Sequence, residues 1–344
     1  MTFRSGGVTA FRDVCLCETD PMSDGVEQVP NERQQPSSPD AEGSAHPLGH
    51  ITVGYDGSDA SKEAVLWSIG AATRHDGSVR VISAWKSDND RRGPSWVPHR
   101  EPSAEERAQA LDDGQRALDI WIESLAPTIP VTASATLCEG PVADVLIESA
   151  PGGVLALGNR QRSRLVSYAV GSVAHSVMSR PTGVTVLVPQ ARHRLGVAAP
   201  SDVIVGVDGS DVSVKALRWA VDAFAESGAA IIAVACAAPD ASPTGMLISP
   251  WTLTPDEMLE RADHVVMDAA RNALDQRPPG ASQVSIETRA VVAHAEEALA
   301  EASNTSALIV LGATGASGIR DRILGSTAAR TIQRSVCPVA IVHG

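Results

Sequence analysis

Hydrophobic and polar positions alternate between two textures along most of this chain. Short apolar runs at 202–207, 230–236, 283–291, 307–312 and 339–342 are too short for helices and rich in Val and Ile, so they predict strands. Between them lie stretches with apolar residues at helical spacing, which predict helices over 211–226, 255–276, 294–303 and 325–335. The helix starts carry suitable chemistry. Ser210 or Asp211 caps the first, and Thr254, Pro255 and Glu257 open the second. The chain before residue 200 repeats this order, with strands near 51–55, 79–85, 131–137, 154–157 and 184–188. Near-continuous apolar strands separated by helices imply parallel sheets covered on both faces and joined by right-handed crossovers. The predicted fold class is α/β, as two tandem doubly wound domains.

An internal repeat sets this division. The stretch from Val53 to Ser61, Val-Gly-Tyr-Asp-Gly-Ser-Asp-Ala-Ser, recurs from Val205 to Ser213 as Val-Gly-Val-Asp-Gly-Ser-Asp-Val-Ser. Ala64 with Ala216 and Trp67 with Trp219 continue the match at the same offset. Gly158 with Gly312 and Gly171-Ser172 with Gly325-Ser326 follow at an offset two residues longer, the mark of one short insertion. The domains run over 49–190 and 201–344, with a polar linker at 191–200. Residues 1–48 are rich in Pro, Ser, Gly, Glu and Gln without period, and read as a disordered tail.

Composition narrows the function classes. Of 344 residues, 43% are hydrophobic but only 3% aromatic, so the cores must be aliphatic. The formal charge of −13 leaves no cation excess to displace phosphate counterions, which argues against a nucleic-acid or anionic-membrane partner. The longest apolar run, Ala229 to Ala238, is about half the ~20 residues a bilayer requires. Arg4, Arg12 and Asp13 interrupt any signal-peptide core, and five scattered cysteines make no disulfide framework. A cytoplasmic location is the expectation. The nine histidines show no metal spacing.

The candidate chemistry sits where doubly wound folds bind ligands, at the carboxyl ends of strands. Asp208 ends the first strand of the second half, and Gly209-Ser210 turns into a helix. The loop after the fourth strand reads Gly312-Ala313-Thr314-Gly315, then nine residues, then Gly325-Ser326. Glycines at 312 and 315 allow positive φ and close approach of a phosphate. Gly325 and Ser326 stand where the last helix begins, so unpaired amides and the positive helix end favour an anion. The Asp208 carboxylate suits ribose hydroxyls or an adenine amino group as hydrogen-bond donors. A carboxylate for a nucleoside beside an amide cradle for phosphates is a nucleotide site. Asp-Gly-Ser is also ordinary turn chemistry, but its two copies ahead of matched Gly-Ser loops favour ligand contact.

These residues make the chain resemble the universal stress proteins, specifically the tandem two-domain type. That family's ATP signature is Gly, two residues, Gly, nine residues, Gly, then Ser or Thr, and residues 312–326 match it throughout. The resemblance implies a five-stranded parallel sheet in the order 3-2-1-4-5 in each domain, and ATP across the ends of strands one and four, with Mg2+ as a companion ion. It places Asp208 on the nucleoside, Gly312, Gly315, Gly325 and Ser326 on ribose and phosphates with the Thr327 amide, and Cys236 in the apolar pocket wall. It also implies pairing through the last strand, either in a homodimer or between the two halves of one chain.

The first half departs from the pattern. Its loop reads Gly158-Asn159-Arg160-Gln161, with Gln161 at the second glycine position and Gly171-Ser172 at the helix start. Asp56, Gly158, Arg160, Gly171 and Ser172 make a weaker candidate site, in which Arg160, Arg162 and Arg164 would hold phosphates by side chains instead of amides. Trp67 and Trp219 read as helix residues packed on the sheets, and Cys337 as a small apolar residue beside the last strand. There is no Gly-x-x-x-x-Gly-Lys-Ser/Thr loop and no Gly-x-Ser-x-Gly elbow. Asp321, the one loop carboxylate near the phosphates, lies between Arg320 and Arg322 as a salt-bridge partner. The expected protein is an ATP-binding regulatory or stress-response module. A slow ATPase or phosphotransferase, or a scaffold without nucleotide, are the alternatives.

Overall fold

The structure, a computed structural model, describes residues 46–85, 103–125, 131–160, 171–180, 183–190, 202–238, 253–278, 282–315 and 324–344. The first half runs β1 (His50–Gly54), α1 (Asp59–Thr73), β2 (Ser78–Trp85), α2 (Ala104–Leu125), β3 (Thr132–Glu139), α3 (Val142–Glu148), β4 (Val154–Asn159), α4 (Ser172–Met178) and β5 (Val184–Pro189). The second half repeats it as β6 (Val203–Gly206), α5 (Asp211–Phe224), β7 (Ile231–Ala237), α6 (Pro255–Asp275), β8 (Ile286–Val292), α7 (Ala295–Ala302), β9 (Leu308–Gly312), α8 (Ser326–Arg334) and β10 (Val339–Val342).

Each half has the order 3-2-1-4-5, with every pairing inside a half parallel. The two five-stranded sheets do not end there. β5 and β10 pair antiparallel, Val184 against Val342 through Leu187 against Val339, and fuse the halves into one ten-stranded sheet. The last-strand pairing is thus intramolecular. Side chains on successive strand residues go to opposite faces. Val154 and Ala156 of β4 join the core under α1, α2, α5 and α6, while Leu155 and Leu157 join the core under α3, α4, α7 and α8. Each of these two aliphatic cores runs across both halves. Trp67 and Trp219 are partly buried against the first, and Cys337 is buried in the second.

Local chemistry explains the element boundaries. Ser210 is the N-cap of α5, its hydroxyl accepting from the Ser213 amide at 3.2 Å, and Asp211 is the first helical residue. Thr254 and Glu257 close a reciprocal capping box on α6 with Pro255 in the first turn. β8 begins at Ile286, later than its apolar run predicts, because its register opposes Ile231 and β7 supplies no partner before that residue. Leu48, which the sequence pattern assigns to the tail, is 1% exposed and belongs to the first core. Residues 1–45 and the linker at 191–200 lie outside the described residues, as do Cys15 and Cys17.

Candidate nucleotide site

At the carboxyl ends of β6 and β9 the second half has a half-open cavity of about 270 Å3. Its apolar part includes Val207, Val234, Cys236, Ala295, Leu299 and Leu311, and its polar part includes Asp208, Ser213, Thr314, Gly315, Ser326 and Thr327. All seven second-half residues singled out in the sequence, Asp208, Cys236, Gly312, Gly315, Gly325, Ser326 and Thr327, line this one space.

Asp208 is fixed by its own turn. Its Oδ1 accepts from the Ser210 amide at 3.0 Å and the Ser210 hydroxyl at 2.6 Å, and its amide donates to Ser213 Oγ at 3.4 Å. The positive φ that this turn needs falls on Gly209, at 82°. Gly312 and Gly315 do not use the positive φ that glycine allows. They are glycines for want of room. A Cβ at Gly315 would stand 2.6 Å from Asp208 Oδ2, and one at Gly312 would meet Val212 Cγ1 at 3.0 Å. The glycine loop is laid against the carboxylate.

Across the cavity α8 begins without a side-chain cap. Gly325 is the N-cap, held by its amide to the Ala313 carbonyl at 2.8 Å, and the next residues, Ser326, Thr327 and Ala328, line the cavity. The first amides of a helix have no intrahelical acceptor, so this end presents donors and a partial positive charge. Arg330 Nη1 donates to Glu296 Oε1 at 2.7 Å and fastens α8 to α7, the helix that supplies Ala295 and Leu299. Residues 316–323, with Arg320, Asp321 and Arg322, lie outside the described residues.

The first half builds the same turn. Asp56 Oδ1 accepts from the Ser58 amide at 3.0 Å, and the Asp56 amide donates to Ser61 Oγ at 3.4 Å. Arg160 Nη2 donates to Asp56 Oδ2 at 2.7 Å. The guanidinium therefore lies at the carboxylate. Gly158 is closed in by backbone, since a Cβ there would come within 2.4 Å of the Ala60 carbonyl carbon. Gly171 is the uncapped N-cap of α4, and Ser172 its first residue. Beside them, Asn159 is buried and its Nδ2 donates to the Ile332 carbonyl of α8 at 3.1 Å, a hydrogen bond between the halves. Gln161, Arg162 and Arg164 lie outside the described residues.

The universal stress protein family matches residues 47–189 and again 201–343. The chain belongs to that family. A tandem universal stress protein of Mycobacterium tuberculosis, Rv1996, is 23% identical over 304 residues, covering 85% of this chain and 94% of its own length. YxiE of Bacillus subtilis is 28% identical over 145 residues, 41% of this chain and 97% of its own. A crystal structure of a universal stress protein from Archaeoglobus fulgidus shares the fold with a TM-score of 0.59 at 18% identity, covering 86% of this chain and 98% of that one.

Two groups have shifted titrations, Cys236 in the wall of the second-half cavity and Asp56 in the matching turn of the first half. Burial, with the Glu296 carboxylate adding to it, pushes the Cys236 thiol up to about 11. It stays neutral at ordinary pH and behaves as apolar wall. At Asp56, burial acts to raise the pKa, but hydrogen bonds from Ser58 and Ser61 and the Arg160 charge outweigh it and hold the carboxyl below its usual range. Among the described residues no group of three or more His, Cys, Asp or Glu is placed to hold a metal ion, and no helix is long and apolar enough to cross a membrane. Sequence reasoning missed the wall residues Val207, Val234, Ala295, Leu299 and Leu311. Their signal was present: strand-end positions beside Asp208 and Cys236, and an i, i+4 pair on one helix face.

Proposed function

We propose that this universal stress protein binds ATP in the cavity of its second half and acts as a nucleotide-responsive regulatory module. The observation that carries the reading is the meeting, in one cavity, of a fixed carboxylate, a glycine loop with no room for a side chain, and the uncapped start of α8. Asp208 takes the ribose hydroxyls, the apolar wall with neutral Cys236 takes the base, and the amides of Gly315, Ser326 and Thr327 take phosphate oxygens. The cavity, about 270 Å3, lies at the small end of ligand pockets, which run from ~300 Å3 upward. It suits a nucleoside, with the phosphates running along the helix start. Asp208 is the only carboxylate among the described lining residues, so Mg2+ would ride on the phosphates, as it does where a site supplies few oxygen ligands.

The reading places binding ahead of catalysis, because the carboxylate of the described lining, Asp208, is held in the Ser210 turn and assigned to the ribose, and the rest of that lining offers amides and hydroxyls. Release of bound nucleotide on denaturing the purified protein, followed by calorimetric titration of the emptied protein with ATP, tests it. Binding that Asp208→Ala abolishes supports the reading. A protein that carries no nucleotide and takes up none refutes it.

A further inference from the structure

The sheet has two edges, β3 and β8, and they are finished differently. Along β3, one side chain of α2 takes two backbone groups that point away from β2. Gln115 Nε2 donates to the Ala135 carbonyl at 3.0 Å, and the Leu137 amide donates to Gln115 Oε1 at 2.7 Å. The side-chain amide stands in for a neighbouring strand. In β8 the residues at the same register are Thr288 and Ala290, because Thr288 lies opposite Ala233 as Ala135 lies opposite Val81, its match in the repeat. Counted from the capping residues Ser103 and Thr254, the place of Gln115 falls to Val266, which is buried in the first core and can neither donate nor accept. The outward amides and carbonyls of Thr288 and Ala290 have no partner among the described residues. Such an edge is a template for another strand.

The open edge is complementary to itself. In an antiparallel pair of two β8 strands centred on Thr288, Thr288 faces Thr288 and Ile286 faces Ala290, each as a hydrogen-bonded pair. Glu287 of one copy then faces Arg289 of the other on both sides of the axis, at the closer, non-hydrogen-bonded positions. Both side chains are exposed and lie on one face of the strand. On the other face α6 packs over β7 and β8, and its exposed apolar residues, Leu259, Met267 and Leu274, fall within a stripe about 80° wide. Against a second, antiparallel α6, Met267 faces Met267, Leu259 faces Leu274, and Asp263 faces Arg271. The two centres of symmetry touch, since the Thr288 hydroxyl donates to Met267 Sδ at 3.5 Å.

We propose that the β8 edge, with the α6 stripe beside it, is the docking surface for a second copy of this chain, related by a two-fold axis at Thr288 that carries the sheet through both copies. The occupant is a second copy because backbone, charges and apolar stripe each match themselves about one axis. The seven residues of β8 span about 23 Å, at the small end of specific interfaces, so association sets in at about 100 µM and a few micromolar protein remains single chains.

Sedimentation equilibrium of the full chain from about 5 µM to about 500 µM tests it, and the mass should rise from 35.8 kDa toward twice that value. Thr288→Pro removes the central outward amide and spares the ladder to β7, so it should melt near wild type and stay single throughout. Glu287→Arg and Arg289→Glu each bring like charges face to face and should weaken association about five- to thirtyfold. An equal mixture of these two variants should recover it, because opposite charges then meet at both positions. A chain that stays single at about 500 µM overturns the proposal and leaves the edge to a strand of a different protein. Association that a folded Thr288→Pro leaves untouched also overturns it. Should Thr288→Pro fail to fold, the mixture decides, and a mixture that associates no better than its separate components overturns the pairing.

Discussion

Gly315→Ala is the sharpest perturbation of the second-half cavity, because one methyl group is the whole change. Its Cβ would lie 2.6 Å from Asp208 Oδ2, about 0.8 Å short of an ordinary carbon–oxygen contact near 3.4 Å. Something must move. A carboxylate is usually a cheap thing to displace, but this one is held by the Ser210 amide at 3.0 Å and the Ser210 hydroxyl at 2.6 Å. Rotating Asp208 away sacrifices a hydrogen bond to a charged group, worth about 1.5–3 kcal/mol. Moving the loop instead withdraws the Gly315 amide from the phosphates, a loss of the same class. Either route weakens ATP binding by about tenfold to a hundredfold. The backbone at Gly315 does not have positive φ, so the alanine brings no left-handed strain, and the melting temperature should fall only by what the lost Asp208 hydrogen bond costs, about 3–10 °C. Titration calorimetry on both proteins, with melting curves beside it, reads the two effects separately. Affinity within threefold of wild type would refute the claim that the glycine loop and Asp208 share one ligand.

Gly158→Ala tests the opposite case: its Cβ meets the Ala60 backbone at 2.4 Å, so it should destabilise the fold by about 3 kcal/mol or more in urea titration without acting through a ligand. With β5 and β10 paired inside one chain, sedimentation at micromolar concentration should give a mass near 35.8 kDa, and a stable mass of twice that would show a second interface. Asn159→Ala leaves the Ile332 carbonyl without its donor between the halves and should lower the unfolding free energy by about 1–3 kcal/mol, measured as a shift in the urea midpoint. Burial lowers His46, His75 and His343 below their ordinary 6.5. The unfolded chain therefore takes up protons first, and stability holds above 6.5 and falls as the pH drops below it toward the folded values. Melting temperature followed from about pH 7.5 to about pH 5.5 checks this, and His75→Phe, which keeps a ring against His46, should make the decline shallower.

The sequence made the architecture legible because the central strands β4, β5, β7, β9 and β10 are buried on two faces and so appear as apolar runs. Its register was less legible. β8 lies at the sheet edge, and its start is set by where β7 begins, which no local pattern in 283–286 reveals. The glycine spacing pointed to the right loop for a different physical reason. Glycine at 315 was read as allowing positive φ and close approach, while the structure shows a steric demand from Asp208, a residue more than a hundred positions away. Arg160 was legible as a cation near a phosphate loop, but its choice of Asp56 depends on a contact across the sheet end. Asn159 gave no signal, because its partner is a helix-end carbonyl in the other half.

The fused sheet also changes what substitution can do to the protein. When two identical subunits pair through their last strands, one codon writes both sites, and any residue that closes one closes the other. Here the paired units are halves of one chain, and β5 meets β10 under separate codons. Arg160 and Thr314, or Gln161 and Gly315, could therefore drift apart while the sheet between them stayed continuous. Either half is free to change while the other is held, and Asn159, reaching from the end of β4 to the Ile332 carbonyl near the far end of the helix that opens the second-half cavity, is one place where the halves hold each other.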